Sequence, residues 1–297
     1  MQKVEVRIEK CHVPEIRLKN GLARLSETKG LELTVHGWTC GIVQVDKIAK
    51  ALALLTELRL RLTLSINYNG LESVPESVWE LAAMEKLGLG NNRLKTISPA
   101  IAKLRELKKL HLSYNPLNGF PETVCQLVHL EEVYALGCRL SILPSSFASL
   151  RHLLELGLDE NAFDQFPEAI CELKSLRRLL MARNKLSSLP PSFANLQELK
   201  LFTIGSNRFK EFPAVICKLP NLLCLYMNDN QMSELPSTIT QLDALKTLDL
   251  SRNSFTSFPR CLDDMSQLLN FFSEGWFNPL VFISHTIWDT GNPHKGF

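Results

Sequence analysis

The chain has 297 residues, 45% of which are apolar, and a formal net charge of +2 at pH 7. This is enough apolar sequence for a continuous core, and so small a net charge gives no bulk attraction for nucleic acid. The sequence also contains no run of eighteen apolar residues, so no membrane span is predicted.

Residues 1–60 contain two segments in which apolar residues alternate with polar ones. These are 4–8 and 31–35, and each alternation predicts a short strand. Asp46 is placed to cap a helix whose apolar residues at 48, 52 and 55 share one face. We interpret 1–60 as longer relatives of the repeats that follow. An irregular capping segment is the alternative, and both would cover the first core leucines.

The same residue type returns every 23 positions in the middle of the chain, and a fixed period of this length predicts a solenoid. Nine regular copies are predicted over residues 61–268. The recurring residues are Asn69, Asn92, Asn115, Asn161, Asn184, Asn207, Asn230 and Asn253, with Cys138 in the one gap.

Each copy contains a Leu-x-Leu stretch, such as Leu156 and Leu158, whose leucines point to one side of a strand. Stacked copies are therefore expected to form a parallel sheet. Each recurring Asn is expected to pair with backbone groups of the following turn and so to form a ladder. Cys138 is a weaker donor, so its rung is expected to be sound but slightly less well satisfied.

Residues 269–297 lose the period and become rich in aromatic residues. We interpret them as a C-terminal cap that covers the edge of the last copy, followed by a disordered tail at 291–297. The alternative starts from the stretch 281–285, which looks like the opening strand of a TIR domain. Only one such strand is present, so no TIR activity is assigned.

The pattern Leu-x-x-Leu-x-Leu-x-x-Asn-x-Leu-x-x-Leu-Pro-x-x-Ile-x-x-Leu, seen over 153–173, resembles the leucine-rich repeat. The 23-residue period with Leu-Pro-x-x-Ile resembles the intracellular Ras-group and Scribble-like scaffolds. The resemblance implies an α/β solenoid, with a curved parallel sheet on its concave face and short helical or extended segments on its convex face. It also implies a non-enzymatic adaptor in intracellular signalling that holds a small GTPase, its regulator or a phosphatase subunit. No Arg/Lys-Val-x-Phe phosphatase-docking segment is present, which counts against the last partner.

All four tyrosines fall at predicted concave positions, and tyrosine is enriched at binding hot spots. The alternative is that tyrosine simply suits strands. The tyrosines are Tyr68, Tyr114, Tyr134 and Tyr226.

The other concave candidates are charged residues and one histidine, grouped in blocks of mixed sign. Nucleic acid would require a uniform basic stripe, whereas mixed blocks suit a folded protein partner. Scattered, solvated charge is the alternative. The predicted face is also too open to bury a small-molecule substrate. The candidates are Lys86, Lys109, His111, Glu132, Glu155, Asp159, Glu160, Arg178, Arg183, Asp229, Asp249 and Arg252.

Motifs of catalysis are missing from the sequence: it has no Walker loop, zinc-ligand cluster or Gly-x-Ser-x-Gly elbow. His111 lies beside Lys109 without a neighbouring nucleophile, so we interpret it as a surface contact residue. We therefore predict no catalytic residue, no metal site and no cofactor.

The cysteines indicate a reducing compartment. Cys125, Cys171 and Cys217 recur in alternate copies, roughly 10 Å apart, and bridged cysteines need α-carbons within about 7 Å. Cysteine clusters at the ends and Asn-x-Ser/Thr sequons are both missing, and residues 1–10 do not resemble a signal peptide. These features favour a cytoplasmic protein over an extracellular binding module. A ligand-sensing fragment of a larger TIR-bearing or Roco-type receptor or enzyme remains the alternative.

Overall fold

A computed structural model describes residues 4–9, 30–36, 45–46, 49–50 and 61–275. Within them, twelve strands form one curved, unclosed sheet in strict chain order. Every pair of neighbouring strands is parallel. The strands are β1 (Val4–Glu9), β2 (Gly30–His36), β3 (Arg61–Ser65), β4 (Met84–Gly88), β5 (Lys109–His111), β6 (Glu132–Tyr134), β7 (Glu155–Gly157), β8 (Arg178–Leu180), β9 (Leu201–Thr203), β10 (Cys224–Tyr226), β11 (Thr247–Asp249) and β12 (Asn270–Phe272).

Residues paired between β5, β6 and β7 are 23 positions apart in the chain, which is the period of the repeat. Lys109 of β5 lies beside Glu132 of β6, and Glu132 lies beside Glu155 of β7. Equivalent residues of successive copies therefore form straight rows across the sheet. The leucine-rich repeat solenoid predicted from the sequence is confirmed by this arrangement.

Short 3₁₀ helices form the opposite side of each turn of the solenoid. Most of them follow a proline whose φ lies between −57° and −71°, and the carbonyl of that proline accepts the first hydrogen bond. In the second copy the proline comes one residue later, and Ser98 caps the helix by accepting from the backbone N–H of Ala100 at 3.3 Å. The helices are Glu76–Glu80, Pro99–Lys103, Glu122–Gln126, Ser145–Ser149, Glu168–Glu172, Pro191–Asn195, Ala214–Lys218, Ser237–Gln241 and Arg260–Asp264.

One continuous core lies between the sheet and the 3₁₀ helices, and it extends from Val45 to Leu268. Within it, phenylalanines of adjacent copies make edge-to-face pairs. Phe120 packs on Phe147 with ring centroids 5.1 Å apart, and Phe166 packs on Phe193 at 5.2 Å. No copy closes its own apolar face, so stability comes from stacking neighbouring copies.

The first two predicted strands are present as β1 and β2, and they continue the sheet beyond β3. The prediction for Asp46 is wrong. Val45 and Asp46 are both helical, so Asp46 lies inside the helix instead of capping it. Its carboxylate pairs with Lys50 at 2.7 Å and accepts from Ser77 Oγ at 2.7 Å, and these hydrogen bonds lower the pKa of Asp46.

At the other end, β12 follows the ninth copy and adds one more parallel strand to the sheet. Phe271 of β12 packs edge-to-face on Phe258, with ring centroids 5.9 Å apart. The TIR-like stretch 281–285 and the tail 291–297 lie outside the described residues, as do the predicted helical positions 48, 52 and 55.

Candidate functional site

The candidate residues lie on the side of the sheet opposite to the core. In β5, for example, Leu110 is fully buried, whereas Lys109 is half-buried and His111 is exposed. Alternation along each strand produces this division for the nine candidates within strands, whereas the other seven, among them Tyr68 and Tyr114, lie in the turns that follow the strands. All sixteen predicted contact residues, from Tyr68 to Arg252, are exposed or half-buried, and Tyr68 and Tyr114 are 47% and 44% exposed.

The charges of this concave face pair with each other. Glu155 Oε1 lies 3.5 Å from Arg178 Nη1, and Glu160 Oε1 lies 2.9 Å from Arg183 Nη1. Lys109 pairs with Glu132 in the same way, and Asp229 lies 3.7 Å from Arg252. Each partner is 23 residues away, because the parallel register places equivalent positions side by side. The blocks of charge seen in the sequence are thus largely neutralised within the protein.

Lys86 differs from these residues because it makes no ion pair within the part of the chain that the structure describes. Its neighbour in the adjacent strand is Lys109, which pairs with Glu132 instead.

Exposed ion pairs contribute about 0–1 kcal/mol each. The four concave pairs therefore contribute little to stability.

An aromatic cluster lies at the centre of the concave face. The ring of His111 packs on Tyr134 with centroids 4.8 Å apart, and Tyr134 Oη donates to Glu155 Oε2 at 2.5 Å. Burial, followed by this hydrogen bond, raises the pKa of Tyr134 far above its usual range. Partial desolvation lowers the pKa of His111, and Lys109 acts in the same direction while Glu132 opposes it. At neutral pH this cluster is formed by an uncharged phenol and a largely uncharged imidazole.

Asp159 has a structural partner on the concave face. Its Oδ1 accepts from the backbone N–H of Ala182 at 2.6 Å. Burial raises the pKa of Asp159 to about 6, and the neighbouring carboxylate of Glu160 adds to the shift. Asp159 therefore titrates within two pH units of neutrality.

Two residues that the sequence analysis missed have the same role as Asp159. Asn67 Oδ1 accepts from the N–H of Gly90 at 2.7 Å, and Ser113 Oγ accepts from the N–H of Leu136 at 3.2 Å. Together with Asp159 they form a second, partial ladder along alternate copies. The signal in the sequence was a short polar residue recurring every 46 positions.

The main ladder runs behind the concave face, and its asparagines are at most 9% exposed. Asn184 is typical of them. Its Oδ1 accepts from Phe163 N–H of the preceding copy at 3.2 Å, and its Nδ2 donates to Leu158 O at 3.0 Å and to Met181 O at 3.1 Å. Each amide thus joins two copies through backbone groups that would otherwise be unpaired.

Cys138 supports its rung by a different arrangement. Its Sγ donates to Leu112 O at 3.2 Å and to Leu136 O at 3.5 Å. A thiol cannot supply the amide oxygen, and the N–H of Leu117, which lies where that oxygen would be needed, donates to Asn115 O at 2.8 Å instead. This tight turn keeps the backbone paired at the one rung without asparagine.

The turn before each ladder residue adopts a left-handed backbone conformation. At this position φ lies between 53° and 61° in eight non-glycine residues. The same strain recurs in nearly every copy, so it belongs to the repeat turn and does not mark a particular site. The residues are Tyr68, Asn91, Tyr114, Glu160, Arg183, Ser206, Asp229 and Arg252.

Other classes of site have few features among the described residues. Among the described residues, no group of three or more His, Cys, Asp and Glu side chains is placed to hold a metal ion. A cavity of about 160 Å³ opens near the starts of the strands, between His129 and His152. No helix in the described ranges is long and apolar enough to cross a membrane.

Comparisons with known sequences identify the repeats. A model described as a leucine-rich repeat region matches residues 164–270, and a leucine-rich repeat model matches residues 62–117 and 82–140. No curated protein matches the sequence.

Several solved structures are similar to this chain. A leucine-rich repeat protein of Leptospira interrogans is 29% identical with a TM-score of 0.68, and the match covers 86% of this chain and 69% of that one. The ectodomain of the Arabidopsis thaliana membrane receptor kinase GASSHO1/SCHENGEN3, in complex with Casparian strip integrity factor 2, is 25% identical with a TM-score of 0.64. That match covers 82% of this chain and 30% of the receptor.

An internalin of Listeria monocytogenes shares the fold at 21% identity and a TM-score of 0.65, with 93% of this chain and 87% of that one covered. Both repeat models and these folds agree with the 23-residue register and with the buried ladder. The chain is therefore a leucine-rich repeat protein.

Proposed function

We propose that this protein is a non-enzymatic interaction scaffold whose concave face binds a folded protein partner. The observation that carries the proposal is that all four tyrosines are exposed or half-buried, Tyr134 and Tyr226 within strands and Tyr68 and Tyr114 in the turns that follow strands. Tyrosine offers a large contact area at low entropic cost, and buried tyrosines dominate many interfaces. The receptor ectodomain in complex with its factor supports the use of this fold for binding.

The centre of the docking surface is proposed to lie over β5, β6 and β7. There His111, Tyr114 and Tyr134 come together, and Glu155 and Glu160 lie beside them. Internal pairing of the charges leaves this surface nearly neutral, so its contacts are expected to come mainly from the aromatic rings and their hydroxyl groups. The charged pairs at the rim would set orientation and association rate.

The resemblance to Ras-group and Scribble-like repeats supplies the first partners to test. They are a Ras-like small GTPase, a regulator of such a GTPase and a phosphatase subunit, acting in cytoplasmic signalling. One triple variant tests the surface by combining Tyr134→Ala, Glu155→Gln and Glu160→Gln. We expect this triple variant to fold normally, because all three side chains lie outside the core, and to lose its concave partners.

Affinity purification followed by mass spectrometry is the measurement. The matched control is Ser145→Ala, Glu122→Gln and Glu168→Gln on the 3₁₀ side, which removes the same number of carboxylates from the opposite face. If the triple variant retains the same partners at wild-type strength, the concave assignment is wrong.

A second candidate is a ligand-sensing repeat segment of a larger receptor or multidomain enzyme of the TIR or Roco type. It is favoured by the match to a plant receptor ectodomain of which this chain spans only 30%. A transcript that continues past Phe297 into a globular domain would support this candidate. A stop codon at that point would favour the scaffold.

A further inference from the structure

Two glycines of the concave face lie directly beneath tyrosine rings. A Cβ atom on Gly157 would lie 2.6 Å from Tyr134 Cδ1 and 2.9 Å from Leu136 Cδ1, and one on Gly137 would lie 2.7 Å from Tyr114 Cδ1. Carbon atoms in contact are normally about 3.5–4.0 Å apart. Any side chain at either position would therefore force the ring above it to move.

The backbone favours glycine at Gly137 but does not explain Gly157. Gly157 does not adopt a left-handed φ, and the same strand position holds His111, Leu180 and Thr203 in other copies. Gly137 has φ of 61°, but equivalent positions accommodate non-glycine residues at 53–61°. Glycine inside a strand is otherwise destabilising. The space beside Gly157 is used by the Tyr134 ring together with Leu136 Cδ1, and the space beside Gly137 is used by the Tyr114 ring.

Tyr134 is held on three sides by this arrangement. Gly157 lies beneath the ring, His111 packs against it with centroids 4.8 Å apart, and Glu155 accepts from its hydroxyl at 2.5 Å. Glu155 is itself oriented by Arg178 at 3.5 Å. A side chain fixed in this way loses little conformational entropy when a partner docks on it.

We propose that Gly137 and Gly157 are positioning residues that leave room for the rings of Tyr114 and Tyr134 and thereby set the shape of the docking surface. This inference rests on the proposed concave function. It adds residues that would determine specificity without touching the partner, because a methyl group at either position would tilt a ring out of the surface.

The first test needs no partner. The chain has four tyrosines, so protein labelled with ¹³C in tyrosine rings gives few NMR signals, and Tyr134→Phe identifies the one from Tyr134. In Gly157→Ala this signal is expected to shift, and the pKa of Tyr134 is expected to fall towards the usual value of about 10, because the displaced ring is less buried and its hydrogen bond to Glu155 is lost. An unshifted signal with an unchanged titration would overturn the proposal.

Gly119→Ala is the matched control. A Cβ on Gly119 would have no atom within 4 Å, and its φ is not left-handed, so the Tyr134 signal should stay in place. If Gly157→Ala does not fold, the double variant Tyr134→Ala/Gly157→Ala decides. Recovery of folding when the ring is removed supports the proposal, and failure to recover, which would assign the clash to Leu136, overturns it.

The second test uses the partners captured on the concave face. Gly157→Ala is expected to lose them to the same extent as Tyr134→Ala, and the double variant is expected to lose no more than either single one. If Gly157→Ala keeps partners that the concave triple variant loses, the positioning role is wrong and the proposed function stands. If the triple variant itself keeps its partners, the proposed function is wrong, and the NMR test still judges the ring geometry.

Discussion

Asn161→Ala tests whether the ladder holds the solenoid together. Asn161 is 8% exposed. Its Oδ1 accepts from the backbone N–H of Cys138 at 3.0 Å and of Leu140 at 2.9 Å, while its Nδ2 donates to the carbonyls of Ala135 and Leu158. Alanine fits the space but removes both functions, so two buried N–H groups lose their acceptor.

The expected cost follows from those two donors. A buried donor left unpaired costs about 1–3 kcal/mol, so Asn161→Ala should destabilise the protein by about 2–4 kcal/mol after local relaxation. Cys138→Ala at the equivalent position is the matched control. The N–H of Leu117 already donates to Asn115 O, and a thiol makes only weak hydrogen bonds, so this change should cost about 1 kcal/mol or less.

Urea denaturation of both variants gives the free energies of unfolding, and amide hydrogen exchange locates the effect. In Asn161→Ala the amides of Cys138 and Leu140 should exchange faster, because they alone lose a side-chain acceptor. Equal stability losses in the two variants, or unchanged protection of these amides, would refute the ladder argument.

Two further predictions concern Asp159 and the turn at Ser206. The pKa of Asp159 is raised to about 6 in the folded protein, above about 3.9 in the unfolded chain. The stability that protonated Asp159 contributes is therefore fully present at low pH and is lost as the pH rises from about 4 through 6. Asp159→Asn keeps the acceptor for Ala182, so melting temperatures should show a larger gain over the parent at pH 7 than at pH 4; a gain independent of pH would contradict the burial argument. Ser206 has φ of 53°, so Ser206→Val should be less stable than Ser206→Gly by about 1–2 kcal/mol in thermal melts, and equal stability would contradict the left-handed assignment.

The charges of the concave face show where sequence reasoning stopped short. Glu155 and Glu160 lie five positions apart in the chain, so a local window of sequence groups them as one acidic block. In the sheet their nearest opposite charges are Arg178 and Arg183, one period later. The parallel register decides these pairings, and it brings together residues that no local window contains.

Asp46 shows a different limit. An aspartate before an apolar, helix-spaced segment indicates an N-cap, but the helix already includes Val45. Val45 is 1% exposed and belongs to the core, and Asp46 is held by Ser77 of the first 3₁₀ helix. Asp46 thus follows a helical residue, and its side chain contacts Ser77 of the neighbouring copy instead of capping the helix.

The sequence by itself determined the repeat length, the strands β3 to β11, the inward leucines and the identity of the ladder residues. These features depend on period and on alternation, which are local properties repeated in each copy. Only the tertiary structure decided which side chains contact the next copy, such as Tyr134 at Gly157 and Asp159 at the N–H of Ala182. It also decided that the backbone N–H of Leu117 pairs with Asn115 O beside Cys138. These contacts depend on the spacing between stacked strands, and a linear pattern does not contain that distance.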